Sequence, residues 1–151
     1  MTEIIPNLYL GSMHAGWNPK YLLANRVYHV LQVAPDIQGT RPRDPSKIHR
    51  WVLSVDDVPQ TQLFPYFTFT SNWIQFHLRS NQPVLVHCMA GISRSSTIVA
   101  AYLMARYGWT RDYTLNYMRA RRSIVNPNPG FMIQLNEWAK YLRKNPSARL
   151  S

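Results

Sequence analysis

PVLVHCMAGISRSSTIVAA, residues 83–101, is the stretch whose order decides the fold. Pro83, Val84, Leu85 and Val86 form a short apolar run rich in β-branched residues, which suits a buried strand ending at His87. Cys88 follows, then a tight segment with Gly91 in its middle. From Ser95 onward, Thr97, Ile98, Val99, Ala100, Tyr102, Leu103 and Met104 supply a largely buried helix. The order strand, loop, helix has chemical content. The first N–H groups of a helix have no partner inside it and carry the positive end of its dipole, so they bind anions. If Met89, Ala90, Gly91, Ile92, Ser93 and Arg94 curl round one centre, their N–H groups make a nest for three phosphate oxygens. Gly91 permits the positive φ that such a curl needs. Arg94, six residues after Cys88, closes the ring with a planar fork that grips two oxygens, a geometry Lys does not reproduce.

Cys88 then lies at the floor of the bowl, surrounded by the positive helix end, the loop amides and Arg94, which is the setting that makes a thiol a nucleophile. Ser95 can point its hydroxyl back at the sulfur and stabilise it when it must leave again. A lone Cys is more often a small buried hydrophobe, and a lone His a satisfied core residue. Here His87, Cys88, Gly91, Arg94 and Ser95 occur together in one strand-loop-helix context, which chance rarely delivers.

The run from His87 to Ser95, HCMAGISRS, resembles the HCxxGxxR(S/T) signature of the cysteine-dependent protein tyrosine phosphatases. Ala101-Tyr102-Leu103-Met104 is similar to their dual-specificity branch, of the small atypical type. The resemblance implies an α/β fold with a central mixed β-sheet flanked by α-helices. It also implies hydrolysis of phosphotyrosine and phosphoserine/phosphothreonine monoesters through a phosphocysteine intermediate, with no metal and no cofactor. Phosphorylated proteins are then the substrates, and phosphate, sulfate and vanadate the anions that the loop accepts.

With 151 residues the chain is expected to be a single catalytic domain, 1–151. Its 46% hydrophobic and 13% aromatic content argues for a folded globule and against disorder. No run approaches the roughly 18 apolar residues of a membrane helix, and the start has neither a basic n-region nor a glycine at residue 2. One cysteine excludes an intramolecular disulfide and agrees with a reducing compartment. The expectation is a cytoplasmic, or also nuclear, monomer. It should be sensitive to peroxide, because no resolving cysteine stands in the same chain. Seventeen Lys and Arg against seven Asp and Glu give +10, which points to anionic partners. The cations are spread, with local groups at Arg41/Arg43, Arg119/Arg121/Arg122 and Arg143/Lys144. That favours a diffuse field steering phosphates over dedicated nucleic-acid binding.

The remaining segments read as support. Residues 4–11 alternate around Pro6, as an edge strand entered through a turn does, and are similar to the "LYLG" opening of dual-specificity domains. Asn18 and Pro19 have the pattern of an N-cap and a first helical position, with Tyr21, Leu22 and Leu23 as the apolar face. Residues 27–34 and 48–55 read as strands, joined by a Pro-, Asp-, Gly- and Arg-rich loop, 35–47, expected to be mobile. Residues 63–80 read as a helix with Pro65 near its first turn and a stripe through Phe67, Trp73, Ile74 and Phe76/His77. Gly108 suits a left-handed cap. Thr110 starts a further helix with Asp112 in its first turn and Tyr113, Leu115, Tyr117 and Met118 toward the core. Arg119, Arg121 and Arg122 either touch acidic substrate residues or form a solvated face. Residues 124–131 form a rigid turn before a last helix, 132–142, and resemble the "NPNxGFxxQL" segment of the family.

Two acidic residues after a strand are often only a turn, but a phosphate ester leaves poorly unless its oxygen is protonated. In the family the general acid lies on the loop after this strand, with a leucine six residues on and Tyr-Phe beyond. Asp57, with Leu63 and Tyr66-Phe67, matches that register; Asp56 is one residue out and stands as the alternative. Classical tyrosine-specific members carry a pocket-deepening aromatic loop for which a chain of this length has little room. Phosphoinositide and RNA 5′-phosphate phosphatases share the signature, but the lipid enzymes often carry Lys in the loop, where Met89, Ala90 and Ile92 stand here. A phosphoprotein-binding pseudophosphatase is disfavoured by the presence of both Cys88 and Arg94.

Overall fold

The run Val84–His87 is the middle strand of the sheet. The computed structural model describes residues 1–37 and 39–151. Strands β1 (Thr2–Ile5), β2 (Leu8–Gly11), β3 (His29–Gln32), β4 (His49–Val52) and β5 (Val84–His87) form one sheet in the order β1-β2-β5-β3-β4. β5 runs parallel to β2 and β3, and β3 parallel to β4, while β1 is antiparallel to β2. The sheet is therefore mixed, as expected. Val84 to His87 are buried without interruption, the pattern of a strand covered on both faces.

Side-chain alternation divides the core. Leu85 and Val30 face a small cluster with Ala15, Leu22, Val27 and Ile48, under helices α1 (Met13–Gly16) and α2 (Pro19–Ala24). Val84, Val86 and Leu31 face the main cluster, built with α3 (Phe67–Arg79), α4 (Arg94–Tyr107), α5 (Arg111–Arg119) and α6 (Pro129–Lys144). α4 is the central helix: every residue from Ser95 to Ala105 is buried. Asn18 Oδ1 accepts from Tyr21 N–H, Thr110 Oγ1 from Tyr113 N–H, and Gly108 closes α4 at φ 70°, so these three expected caps are present.

Several boundaries differ from the sequence reading. Residues 4–11 are not one edge strand but the ends of a hairpin. Asn7 takes a positive φ of 70°, so β1 becomes the edge and β2 lies inside the sheet. Regular pairing in β3 and β4 covers only four residues each, because backbone pairing ends before the apolar run does. Residues 63–80 begin as a 3-10 turn, Phe64–Tyr66, before α3 starts. Phe76 of the expected stripe is 67% exposed, whereas Thr70, Ser71 and Gln75 are buried. Tyr113 on α5 is exposed, with Thr114 in its place. α6 starts at Pro129 rather than residue 132, because Asn128 caps it by accepting from Phe131 N–H at 3.0 Å.

The loop 35–47 contains no helix or strand among its described residues; Gln38 lies outside them. It is held by a chain of ion pairs, Asp36 to Arg41 at 2.8 Å, Arg41 to Asp44 at 3.1 Å and Asp44 to Arg50 at 2.8 Å. No helix among the described residues is long and apolar enough to cross a membrane.

Candidate active site

Cys88 follows β5 directly and is only 2% exposed. Its Sγ accepts the Gly91 N–H at 3.2 Å and lies 3.0 Å from Ser95 Oγ. The loop carbonyls that follow are all turned away from the sulfur and bonded from outside. Met89 O accepts from Met13 N–H at 3.0 Å, Ala90 O from Arg122 Nη2 at 3.4 Å and Gly91 O from Arg122 Nε at 3.1 Å. Ile92 O accepts from Asn126 N–H at 2.8 Å, and Ser93 O from Thr97 Oγ1 at 2.7 Å. The C=O and the next N–H of a planar trans peptide point in opposite directions. Tying the carbonyls of 89–93 outward therefore turns the N–H groups of 90–94 inward, as the Gly91 bond to sulfur illustrates. Amides so arranged can cradle an anion.

Gly91 is required for that curl. Its φ is 69°, and a Cβ there would meet the Gly11 carbonyl oxygen at 2.7 Å. Arg94 Nη1 donates to Val55 O at 3.0 Å, and its Nε is buried without a partner among the described residues. A buried donor left alone costs about 1–3 kcal/mol, and an oxyanion in the nest is what would satisfy it. The Val55 contact also fixes the guanidinium against the segment that carries Asp56 and Asp57. Met89 and Ile92 form the exposed rim.

Asp57 Oδ1 accepts from Asn128 Nδ2 at 2.9 Å, and the Asn128 backbone N–H donates to Ser93 Oγ at 2.9 Å. One residue thus joins the acid-bearing loop to the anion loop. Asp56 contributes its backbone carbonyl, which accepts from Thr61 Oγ1 at 2.8 Å. Gln134 on α6 holds the same loop from below. Its Oε1 accepts from Leu63 N–H at 2.7 Å and Phe64 N–H at 2.9 Å, and its Nε2 donates to Thr61 O at 2.9 Å.

His87 is fully buried beside Cys88. Its Nδ1 lies 3.0 Å from Cys88 O, which can only accept, so Nδ1 carries the proton and Nε2 accepts from Arg50 Nη1 at 2.9 Å. Burial, with a smaller push from Arg50, takes this imidazole down to a pKa of about 4, so it is neutral at pH 7. Gly16 packs on the ring face so closely that any Cβ would enter the imidazole. Arg50 is itself nearly buried. Its Nε donates to Asp44 Oδ2 at 2.8 Å and its Nη2 to Asp44 Oδ1 at 3.0 Å, which links the 35–47 loop to the floor of the site.

The sequence residues Cys88 to Ser95 and His87 come together as expected, and Asp57 is brought to them through Asn128. Arg50, Asn128 and Gln134 were not singled out for the site, and Arg122 was named only as a surface or substrate contact. Arg50 had a signal, a cation inside an apolar strand, and Asn128-Pro129 repeats the Asn18-Pro19 capping pattern. Of the arginine group, Arg121 is exposed, as a solvated face requires, while Arg119 and Arg122 are half-buried and bonded within the fold. Arg119 Nε donates to Val125 O at 2.8 Å, Arg121 lies 3.5 Å over the Tyr117 ring, and Arg122 braces the anion loop.

A family model described as the catalytic domain of dual specificity phosphatases matches residues 8–141. This chain belongs to that family. It is 36% identical over 145 residues to Dual specificity protein phosphatase 1B of Arabidopsis thaliana, covering 96% of this chain and 85% of that protein. It is 38% identical over 137 residues to Protein phosphatase Slingshot homolog 3 of Rattus norvegicus, covering 91% of this chain but 21% of that protein. The chain thus spans about a fifth of the length of the Slingshot relatives it matches. Among solved structures, DUSP15 superposes with a TM-score of 0.85 at 32% identity, covering 100% of this chain and 97% of that one.

Proposed function

We propose that this chain hydrolyses phosphotyrosine and phosphoserine/phosphothreonine monoesters on proteins through a phosphocysteine intermediate. The observation that carries the reading is the inward-facing amide nest closed over Cys88, with Arg94 Nε buried and unpartnered beside it. Cys88 thiolate attacks phosphorus, the P–O ester bond breaks, and Asp57 gives its proton to the leaving oxygen. Arg94 and the loop amides hold the three equatorial oxygens as charge shifts between them. In the second step water attacks the phosphocysteine, Asp57 takes its proton, and the P–S bond breaks. Ser95, 3.0 Å from Sγ, then donates to the departing thiolate. His87 and Asn128 are positioning residues, one under the nucleophile and one beside the acid. A lone thiolate of this kind works in reducing surroundings, which supports a cytoplasmic setting.

The test is hydrolysis of a small aryl phosphate in the presence of a chelator. Cys88→Ser is expected to lose ~10⁴-fold or more in kcat, and Asp57→Asn ~10²–10⁴-fold. The wild-type rate should follow a bell in pH, because thiolate and carboxylic acid are needed together. Folded, reduced protein without turnover would overturn the reading.

A further inference from the structure

α4 spans 14 residues, so at about 1.5 Å per residue its C-terminal end lies ~20 Å from the anion loop. At that far end a groove of about 850 Å³ opens between the ends of α4 and α6 and the start of α5. Its walls are apolar: Trp109 and Ala139 are half-buried, with Met104 and Leu142 beneath them. Trp109 is held rigid by Tyr107, stacked at 4.6 Å, and by Tyr113 and Tyr117, each at 4.9 Å. A preformed wall costs a ligand no ordering entropy in the protein.

The rim is basic. Arg111 already pairs with Asp112 at 2.9 Å, but Lys140, Arg143 and Arg149 enter no ion pair among the described residues. No carboxylate among the described residues lines the groove; Glu137, on α6, lies outside it. Three cations thus surround an aliphatic floor, and that combination of charge and apolar surface defines what would fit.

We infer that this groove is a docking site for an acidic segment of a partner protein that inserts an aliphatic side chain between Trp109 and Leu142. The carboxylates meet Lys140, Arg143 and Arg149, and the aliphatic group displaces water from the floor. A nucleic acid satisfies the rim, but its bases need an open aromatic face; one face of Trp109 is taken by Tyr107, and the floor of Met104 and Leu142 is aliphatic. The site stands apart from the phosphate chemistry, so it holds or fails independently of the activity proposed above.

Binding is measured by fluorescence anisotropy with labelled Glu-Asp-Glu-Leu-Asp-Leu-Glu-Asp-Glu, with vanadate present to fill the anion loop. Lys140→Glu/Arg143→Glu is expected to weaken binding tenfold or more, roughly two lost charge contacts. Lys20→Glu/Arg79→Glu, which changes net charge equally at exposed positions elsewhere, should weaken it less than about threefold by screening alone. Arg149→Glu, outside any α-helix, should repeat the loss, and replacing both leucines by serine should cost tenfold. Aryl phosphate turnover stays at the wild-type rate in every variant. No peptide binding, equal losses in both double variants, indifference to the leucines, or tighter binding of an oligouridine RNA would each overturn the inference.

Discussion

Asn128 Nδ2 donates to Asp57 Oδ1 at 2.9 Å while the Asn128 backbone N–H is held by Ser93 Oγ at the same distance. The residue also caps α6 through its Oδ1. These duties separate by substitution. Asn128→Ala loses the cap, about 1 kcal/mol, and the donor to Asp57, so thermal stability and kcat both fall. Asn128→Asp keeps a capping oxygen but sets a carboxylate against Asp57, so Tm stays near wild type while kcat drops roughly tenfold. A variant that caps poorly yet retains full kcat would show that the Asp57 contact has no part in turnover.

Ser95 Oγ lies 3.0 Å from Cys88 Sγ. Since its donation matters most when the sulfur departs, Ser95→Ala should slow the second step more than the first. Stopped-flow release of the aryl alcohol is expected to show a burst of about one equivalent followed by a steady rate ~10²-fold below wild type. Equal slowing of both phases, with no burst, would remove Ser95 from that role.

His87 supplies a pH dependence of stability. Its folded pKa of about 4 lies below the ordinary 6.5, so between those values the unfolded chain holds a proton that the folded chain does not. The contribution is complete above about pH 6.5 and is lost as pH falls toward 4. From pH 7 to 5 the loss is about 2 kcal/mol, a fall in Tm of roughly 4–8 °C. His29 and His77, also lowered by burial, add a slope that His87→Asn would share. The comparison that decides is the difference in slope between wild type and His87→Asn; identical slopes count against the assignment.

Gln134 is buried and satisfies three backbone groups of residues 61–64. Gln134→Ala strands two N–H groups and one carbonyl, at a cost of about 2–4 kcal/mol. It also loosens the loop that carries Asp57. Urea denaturation should show the lower midpoint, and kcat at a temperature where the variant is folded should fall several-fold. An unchanged kcat would mean that the loop keeps its position without this anchor.

How much of this was legible in the sequence depended on distance along the chain. The strand-loop-helix order around Cys88, the cap residues Asn18, Gly108 and Thr110, and the Gly91 curl were readable because each rests on interactions within a few residues. Periodicity and capping are local physics. The ends of β3 and β4 were less legible, because they depend on where neighbouring backbone stops pairing; the start of α6 rests on the local Asn128 cap.

The sequence by itself determined the family and the placing of the candidate nucleophile and its loop, since HCMAGISRS lies in one continuous stretch. Only the tertiary structure decided what supports that stretch. Arg50 reaches His87 across 37 residues, and Asn128 and Gln134 reach Asp57 and Leu63 across 71. These pairs meet because the sheet order sets β4 one strand beyond β5, with only β3 between them, and because α6 packs against α4 over the same face. A polar side chain carries no mark of its distant partner; only the packed fold sets which donor faces which acceptor.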